Sequence, residues 1–502
     1  MRQLLLWLCS AACVLGGSVQ GVVLDWASGK PLSRTPVILT PLPGSSSGTR
    51  SMQLRSGPLG AFSFLKVPPG LYILEAQREG YLPAAHGQRR PEGHGRPVFV
   101  DDDSNLFSEL RMHRMGALMG YVLDENGIGI PRVNVLAYAA SLPLRSAGTG
   151  VSDDRGQFRI SGLTLGSYWV RSAGHQLDDG TPLLPMFGPD APEPRDAIRY
   201  QVRYDDDTPD ANVRPVMGRL SLLSGHIACD RGPGSPVVLV LSSEVMRRQI
   251  TGGCDGGFEF GGLPPANYEV FAYYPDGGGF GFIEQNVSHN VKTVVQLAKG
   301  PELAFEIRDA DTRAPIQTKI RIAGRRNDLS GPGQAQEITY PRSGLPPGYW
   351  ELAATVGPEQ YIERIEGRPW RREGFYSLPT EGFPIYVDPR FAGQPVRILL
   401  SRRAGAIGGV VRQEGKPVPG APVYAWPVDE INRRRLAGGK EQLAGVDGSY
   451  QFTGLPPGEY RVFATFDTRQ ISAEIAEETQ SISIRLSPGQ STIADLSVWR
   501  SP

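Results

Sequence analysis

The sequence predicts an all-β protein, a tandem array of about five seven-stranded antiparallel β-sandwiches behind a signal peptide. Three observations predict this fold class. One strand–turn–strand motif recurs about five times along the 502 residues. Short runs alternate apolar and polar residues, which is the period of a half-buried strand. Gly and Pro, at 62 and 44 residues, fall between those runs, where turns need them.

The recurring motif is clearest at residues 447–464. Tyr450 and Phe452 alternate with polar neighbours as in a strand, and Pro457 with Gly458 then supplies a turn. Other copies occupy residues 62–76, 156–170 and 258–272, with a degenerate copy at 345–350. A Gly-x-Val opening strand precedes most copies and two alternating runs follow, so each unit should contain about seven short strands.

These shared motifs carry a resemblance to a known family. With its Gly-x-Val-x-Asp opening strand, Gly-x-Phe strand and Leu-Pro-Pro-Gly-x-Tyr turn, the chain resembles the carboxypeptidase regulatory-like domain, a prealbumin-like (transthyretin-like, Ig-like) sandwich of carbohydrate-binding-like fold. The resemblance covers nearly all of the chain after the leader. It implies a group that also contains starch-binding-like and collagen-adhesin-B-like modules of secreted bacterial proteins. It predicts a fold and leaves the function open.

The repeat starts set the expected domain boundaries. We predict a signal peptide at 1–16 and sandwiches at 17–114, 115–217, 218–300, 301–403 and 404–502, called units 1 to 5 below, with unit 4 degenerate. Each unit is just large enough to bury its own core. Two Gly-, Pro- or acid-rich segments, residues 89–96 and 176–196, are expected to be exposed loops, and five modules in series predict an extended shape.

The N-terminus predicts export. Arg2 precedes a mostly apolar run from Leu4 to Leu15, which fits a secretory signal peptide and is too short to span a bilayer. The sequence around Cys13 also loosely resembles a lipoprotein cleavage site, with lipid on Cys13; ordinary cleavage is the favoured alternative. We therefore expect a secreted, periplasmic or cell-surface protein without a transmembrane segment in the mature chain.

Two cysteines remain after the leader, Cys229 and Cys254, both in unit 3. An up-and-down strand path places the turns that carry them at the same end of the sandwich, and export permits oxidation. A disulfide closing about 25 residues should stabilise the unit by roughly 3 kcal/mol on a chain-entropy argument. The alternative is a pair of free, small apolar side chains.

No catalytic constellation is visible. The six His residues include none with Glu three positions later, so the zinc-peptidase motif of the family's namesake enzymes is missing. No Gly-x-Ser-x-Gly motif lies between a predicted strand and a helix, and the C-terminal residues lack the Tyr-Arg-Gly-Ser of hydroxyisourate hydrolases. The acidic runs match no dedicated calcium loop and are better explained as solvated turns. We predict no enzyme activity, no metal and no cofactor.

Aromatic side chains offer the only binding signal. Trp26 lies in the first hairpin turn, and strand alternation points Trp169, Tyr424 and Trp426 away from their sandwich cores. Exposed aromatic faces can stack on sugar rings. The favoured alternative is that these rings are buried against another unit or against another strand of the same sandwich.

The sequence therefore favours a non-enzymatic, secreted or cell-surface binding or scaffold protein, with polysaccharide or a cell-surface protein as partner. The alternative is an accessory subunit that binds a secreted peptidase or outer-membrane transporter, and the least favoured is an enzyme whose site the sequence hides. With 52 basic and 52 acidic residues the net charge is zero, which argues against nucleic acid.

Overall fold

In the structure, a computed structural model, the regular secondary structure is almost entirely strand. The structure describes residues 16–42, 44, 50–140, 144–243, 247–275, 279–299, 302–303, 305–316, 321–328, 331–332, 336–338, 342–343, 348–366, 383–387, 395–436, 439–469, 471 and 473–500. The apolar leader, Cys13 and residues 345–347 of the degenerate motif of unit 4 lie outside these residues.

The strands of units 1 to 3 follow the alternation read from the sequence. In unit 1 they are β1 Gly17–Asp25, β2 Pro36–Pro41, β3 Met52–Arg55, β4 Ala61–Val67, β5 Gly70–Ala76, β6 Ala84–Ala85, β7 Val98–Val100 and β8 Asn105–Met112. In unit 2 they are β9 Gly116–Tyr121, β10 Asn134–Ala139, β11 Arg145–Val151, β12 Gln157–Leu163, β13 Gly166–Ser172, β14 His175–Gln176, β15 Pro182–Leu184, β16 Tyr200–Val202, β17 Asp207–Thr208 and β18 Val216–Met217, with a 3₁₀ turn at Pro194–Asp196. In unit 3 they are β19 Ser221–Ala228, β20 Pro236–Ser242, β21 Arg247–Gly253, β22 Gly257–Leu263, β23 Ala266–Tyr273, β24 Gly279–Val287, β25 Val291–Gln296 and β26 Ala298–Lys299.

Units 4 and 5 repeat the pattern with additions. Unit 4 contains β27 Glu302–Leu303, β28 Phe305–Asp309, β29 Arg321–Asp328, β30 Gly331–Pro332, β31 Gln336–Ile338, β32 Arg342–Ser343, β33 Gly348–Thr355, β34 Tyr361–Glu366, β35 Phe383–Val387 and β36 Val396–Ser401. Unit 5 contains β37 Gly405–Gln413, β38 Lys416–Pro417, β39 Pro422–Pro427, α1 Glu430–Arg435, β40 Lys440–Leu443, β41 Ser449–Leu455, β42 Gly458–Thr465, α2 Ala473–Glu478, β43 Ile482–Leu486, β44 Ser491–Ile493 and β45 Leu496–Trp499.

Unit 1 shows how a sandwich is assembled. One sheet has the order β4-β1-β8, and the other has β3-β2-β5 with β6 and β7 paired to β5. Every second residue of β1 is buried, as the alternation predicts. The inward residues of both sheets, among them Val19, Val37, Phe64 and Leu74, form one core. The five largest cores of the described residues each lie within one of the five predicted units.

Most strands pair antiparallel, as predicted. The first long strand of each unit instead pairs in parallel with a strand near the end of that unit, and in unit 5 β42 also pairs in parallel with β45. The pairs of the first long strands are β1 with β8, β9 with β17, β19 with β25, β28 with β36, and β37 with β44 and β45. In unit 1 the short strands β6 and β7 both pair antiparallel with β5, so they take one place in the alternation of direction, and β1 and β8 point the same way. When these two are neighbours in a sheet, they must therefore pair in parallel.

The Tyr of the recurring turn is a structural residue. Tyr72, Tyr168, Tyr268 and Tyr460 are all buried in the cores of their units. Each hydroxyl donates a hydrogen bond to the backbone carbonyl four residues earlier, at 2.7 to 3.0 Å. The motif recurs because a buried ring fills the core while its polar end needs a partner, which the turn itself supplies.

Cys229 and Cys254 form a disulfide in the structure. Cys229 follows β19 and Cys254 follows β21, so the bond joins two turns at one end of unit 3. Cys254 is buried in the unit 3 core, and Cys229 is partly buried against it. The turn positions expected from the up-and-down strand path are thus the ones that the structure brings together.

Residues 89–96 of unit 1 dock on unit 5, so they are called the docking loop. His94 N–H donates to the Phe466 carbonyl at 2.7 Å, and Arg469 Nε donates to the Gly93 carbonyl at 2.9 Å. The expectation that this segment is a free loop is wrong, because its backbone bonds to another unit. The expectation of an extended array is also wrong, because the first and last units touch.

Candidate functional site

Trp169 is the first aromatic candidate, and it is buried. Its ring points away from the main core of unit 2, as alternation predicts, but is only 3% exposed. It packs in a second cluster with Tyr138, Phe187 and Ala191. The last two residues belong to segment 176–196, which folds over the outer sheet face. The favoured alternative, burial of the ring, therefore applies to Trp169, and the segment that covers it is one that was expected to be an exposed loop.

Tyr424 is also buried, at 2% exposed, on the outer face of β39. Phe463 and Ala476 of unit 5 cover part of the ring. The Tyr424 hydroxyl donates to the Thr468 carbonyl at 2.9 Å and lies 2.9 Å from Nε2 of His94 in the docking loop. The favoured alternative, burial of the ring, therefore applies to Tyr424 as well, because helix α2 and unit 1 occupy the face that a sugar would need.

Trp426 is half-buried on the same strand. It packs at the edge of the Tyr424 cluster, and the Arg433 guanidinium carbon lies 6.0 Å from its ring centroid. A partly covered ring with a cation beside it retains little free face for stacking. Trp426 therefore stays only a weak candidate.

Trp26 is the one candidate with an open face, at 51% exposed. Its other face stacks on His113, with ring centroids 4.4 Å apart. His113 is held in turn, because its Nδ1 contacts the Asp205 carboxylate of unit 2 at 2.5 Å. A carboxylate accepts only, so Nδ1 carries the proton and donates. The indole is thus supported from below at the junction of units 1 and 2.

A groove opens at the same end of unit 1. Its volume is about 1140 Å³, and three segments meet around it: the β1–β2 turn, the β3–β4 turn and the stretch after β5. The lining residues are Ser33, Arg34, Pro36, Arg55, Ser56, Gly57, Pro58, Gln77, Arg78, Glu79, Tyr81 and Pro83. This size is in the range of small-ligand sites, although the groove is open on one side.

Asp25 links Trp26 to the groove. The Tyr81 hydroxyl, in the groove wall, donates to Asp25 Oδ2 at 3.1 Å. Although burial acts to raise it, the pKa of Asp25 is lowered by hydrogen bonds from Ser28, at 2.6 and 2.7 Å. Burial, together with the bond to Asp25, raises the pKa of Tyr81. Asp25 is therefore ionised and Tyr81 protonated around neutral pH, so this link does not titrate.

Two arginines of the groove are held by the backbone. Arg55 Nη1 donates to the Arg34 carbonyl at 2.9 Å, and Arg78 Nη1 donates to the Ser33 carbonyl at 2.8 Å. Arg78 Nη1 also lies 3.0 Å from Thr35 Oγ1. Each guanidinium has five N–H donors, so both retain donors for a ligand.

Sequence reasoning missed these arginines. Arg34 precedes β2, Arg55 ends β3 and Arg78 follows β5, and none belongs to the repeated motif. The only sequence feature that they share is a position next to a turn, and consecutive members of the set are at least 21 positions apart in sequence. Their convergence depends on which strand ends the sandwich brings together, and periodicity does not report that.

The described part of the chain shows no other constellation for chemistry. Within it, no three His, Cys, Asp or Glu side chains are grouped so that they could hold a metal ion. Among the same residues, no helix combines the length and apolar character needed to cross a bilayer.

Comparisons with known proteins identify no family. No protein-family model matches the chain, and no curated protein matches it. Among solved structures, it is similar to the minor pilin GBS52 of Streptococcus agalactiae (14% identity, 40% of this chain and 98% of that one, TM-score 0.24). It is also similar to the major pilins BcpA of Bacillus cereus (9%, 96% and 99%, TM-score 0.16) and SpaD of Corynebacterium diphtheriae (11%, 57% and 98%, TM-score 0.18). Such TM-scores do not support the transfer of a function.

Proposed function

We propose that the protein is a non-enzymatic, exported binding or scaffold protein, and that unit 1 binds polysaccharide at the groove beside Trp26. The carrying observation is the exposed face of Trp26 next to the groove. A large exposed indole, supported from behind by His113, presents a rigid flat surface to solvent.

The physical case rests on two kinds of contact. A sugar ring offers apolar C–H surface that stacks on an indole, and hydroxyl groups that need hydrogen-bond partners. Trp26 supplies the first, and the fixed donors of Arg55 and Arg78 supply the second. Because the backbone already holds both arginines, binding costs little side-chain entropy.

The export part of the proposal rests on the leader and the disulfide. An apolar run behind Arg2 is typical of a signal peptide, and the Cys229–Cys254 bond requires an oxidising compartment. Lipid attachment at Cys13 remains the alternative to simple cleavage, and the mass of the mature protein would distinguish them.

The test is retention of residues 17–502 on a panel of insoluble and soluble polysaccharides. We expect saturable retention, and Trp26→Ala should weaken it about 2- to 10-fold, the loss of one aromatic stacking contact. Phe107→Ala is the matched control, because Phe107 is an exposed aromatic (68%) elsewhere in unit 1.

Absence of retention on every polysaccharide would overturn the proposal. The alternative, an accessory subunit for a peptidase or transporter, would then take its place. Retention that Trp26→Ala leaves unchanged would show that the binding site lies outside this surface.

A further inference from the structure

The groove of unit 1 is a concentration of positive charge. Arg34, Arg55 and Arg78 line it, against the single carboxylate of Glu79. All three arginines are exposed, and none forms an ion pair with a described residue. In a chain with zero net charge, three cations facing one cleft form a local feature that is not an average property of the surface.

The three turns are locked together, so the cations cannot simply move apart. Arg34 N–H donates to the Ser56 carbonyl at 2.8 Å, and Ser56 N–H donates to the Thr35 carbonyl at 2.9 Å. The Ser56 hydroxyl donates to the Leu32 carbonyl at 2.6 Å. Ser56 and Thr35 are buried. The backbone that carries Arg34 and Arg55 is therefore rigid, and Arg78 is tied to the same turn.

Like charges held together raise the local potential unless something neutralises them. Internal neutralisation is weak here. Asp25, a buried carboxylate behind Tyr81 of the groove wall, is already bonded to Ser28 and Tyr81. Arg78 instead lies beside an aromatic ring, with its guanidinium carbon 5.7 Å from the Tyr81 centroid. A ligand that brings its own negative charge would supply what the groove lacks.

We propose that the groove takes anionic sugars, so that the polysaccharide bound by unit 1 is a polyanion. This inference rests on the proposed function and specifies its ligand class. The planar guanidinium fork matches a carboxylate or a sulfate ester with two parallel N–H···O bonds, and each such bond is charge-assisted. A chain of charged sugars can stack one ring on Trp26 and place its neighbours in the groove.

The experiment compares charged and neutral forms of the same polymers. Immobilised polygalacturonate and its methyl ester supply the carboxylate pair, and dextran sulfate and dextran supply the sulfate pair. We expect at least tenfold tighter binding to one charged form than to its neutral form. Because exposed charges are screened within about 10 Å at 0.1 M salt, binding should weaken as sodium chloride rises.

Variants locate the site. The double variant R55Q/R78Q should lose at least tenfold in affinity for the charged polymer. The variant R55Q/R78K should recover part of that loss, because lysine restores the charge at position 78 without the guanidinium fork. Arg485→Gln is the matched control, an exposed arginine on β43 of unit 5. Circular dichroism and thermal melting check that each variant folds.

The outcomes separate this inference from the function on which it rests. Equal binding to charged and neutral forms overturns the anionic class and leaves polysaccharide binding standing. No binding to any polymer overturns both. Charged-polymer binding that R55Q/R78Q leaves intact excludes the groove, and equally tight binding of polyglutamate would make the ligand an acidic polypeptide.

Discussion

At the scale of single residues, the aromatic ring and the hydroxyl group together explain why Tyr recurs in the repeated turn. The ring fills a core position, and the hydroxyl reaches a carbonyl that the turn would otherwise leave unpaired. In unit 5 both the Tyr460 ring and Pro456 are buried. Leaving such a carbonyl without a donor costs more than the net value of an average hydrogen bond.

We expect Tyr460→Phe to destabilise unit 5 by about 1–3 kcal/mol, because it removes the 2.7 Å bond to the buried Pro456 carbonyl and keeps the ring. Thermal or urea unfolding, followed through the transition of unit 5, measures it. Tyr121→Phe is the control, since Tyr121 is exposed on β9 and should give no measurable change. Equal effects of both substitutions would contradict this account.

At the scale of elements, two segments behave against their composition. Residues 89–96 and 176–196 are rich in Gly, Pro or charge, which is typical of exposed loops. Both instead cover an outer sheet face, one beside Tyr424 and the other over Trp169. Composition describes how a segment bends and is solvated, and it does not show what the segment lies against.

The disulfide belongs to the same scale, because it ties together two turns. Replacing both cysteines, Cys229→Ala and Cys254→Ala, should lower the stability of unit 3 by about 3 kcal/mol, since the unfolded chain regains the entropy of a loop of 25 residues. Alanine is chosen because Cys254 is buried among apolar groups.

Thiol counting without reduction checks the bond, and calorimetry with and without reductant checks the stability. The double variant should show no reductant dependence, which is its internal control. Two titratable thiols in unreduced, mature protein would show that the bond does not form.

At the scale of the whole molecule, the contact between units 1 and 5 closes the array. Side chains of both units form a series of polar contacts there. Tyr424 donates its only hydroxyl proton to the Thr468 carbonyl, so the 2.9 Å contact with His94 must be donated by His94 Nε2. Glu441 lies 3.5 Å from the same nitrogen, and Arg469 bonds to both Gly93 and Glu75 nearby.

This contact should weaken in acid. Burial, with a smaller effect of the Arg469 charge, lowers the pKa of His94 to about 4 from 6.5. His94 therefore binds a proton more readily when units 1 and 5 separate than when they are in contact. The contact between the two units is thus most stable above pH 6.5 and loses stability as the pH falls toward 4. The loss could reach about 3 kcal/mol, from 1.36 kcal/mol per pKa unit.

Small-angle scattering between pH 7 and pH 4 measures the opening as an increase in the radius of gyration. His94→Gln is the informative variant, because its amide can still donate to Tyr424 but does not titrate in this range. It should reduce the pH dependence. An equal expansion of both proteins would assign the effect to other groups, such as Glu441 or Asp467.

Local chemistry determined much of this protein. Alternating runs, Gly/Pro turns and the repeated Tyr motif predicted the all-β class and the strands that flank the repeated turn, because strand period and turn residues are set by neighbours in sequence. The same reasoning placed Cys229 and Cys254 at one end of unit 3. It also predicted correctly that Trp169 and Tyr424 point away from their cores, since side-chain direction follows the backbone.

Only the tertiary structure decided what lies beyond those faces. Whether an outward ring meets solvent or another segment depends on contacts between residues far apart in sequence, such as His94 and Tyr424, 330 positions apart. The arginine groove has the same origin. Arg34, Arg55 and Arg78 come together because β3, β2 and β5 are neighbours in one sheet and have these ends at the same edge, and no local pattern encodes which strands become neighbours.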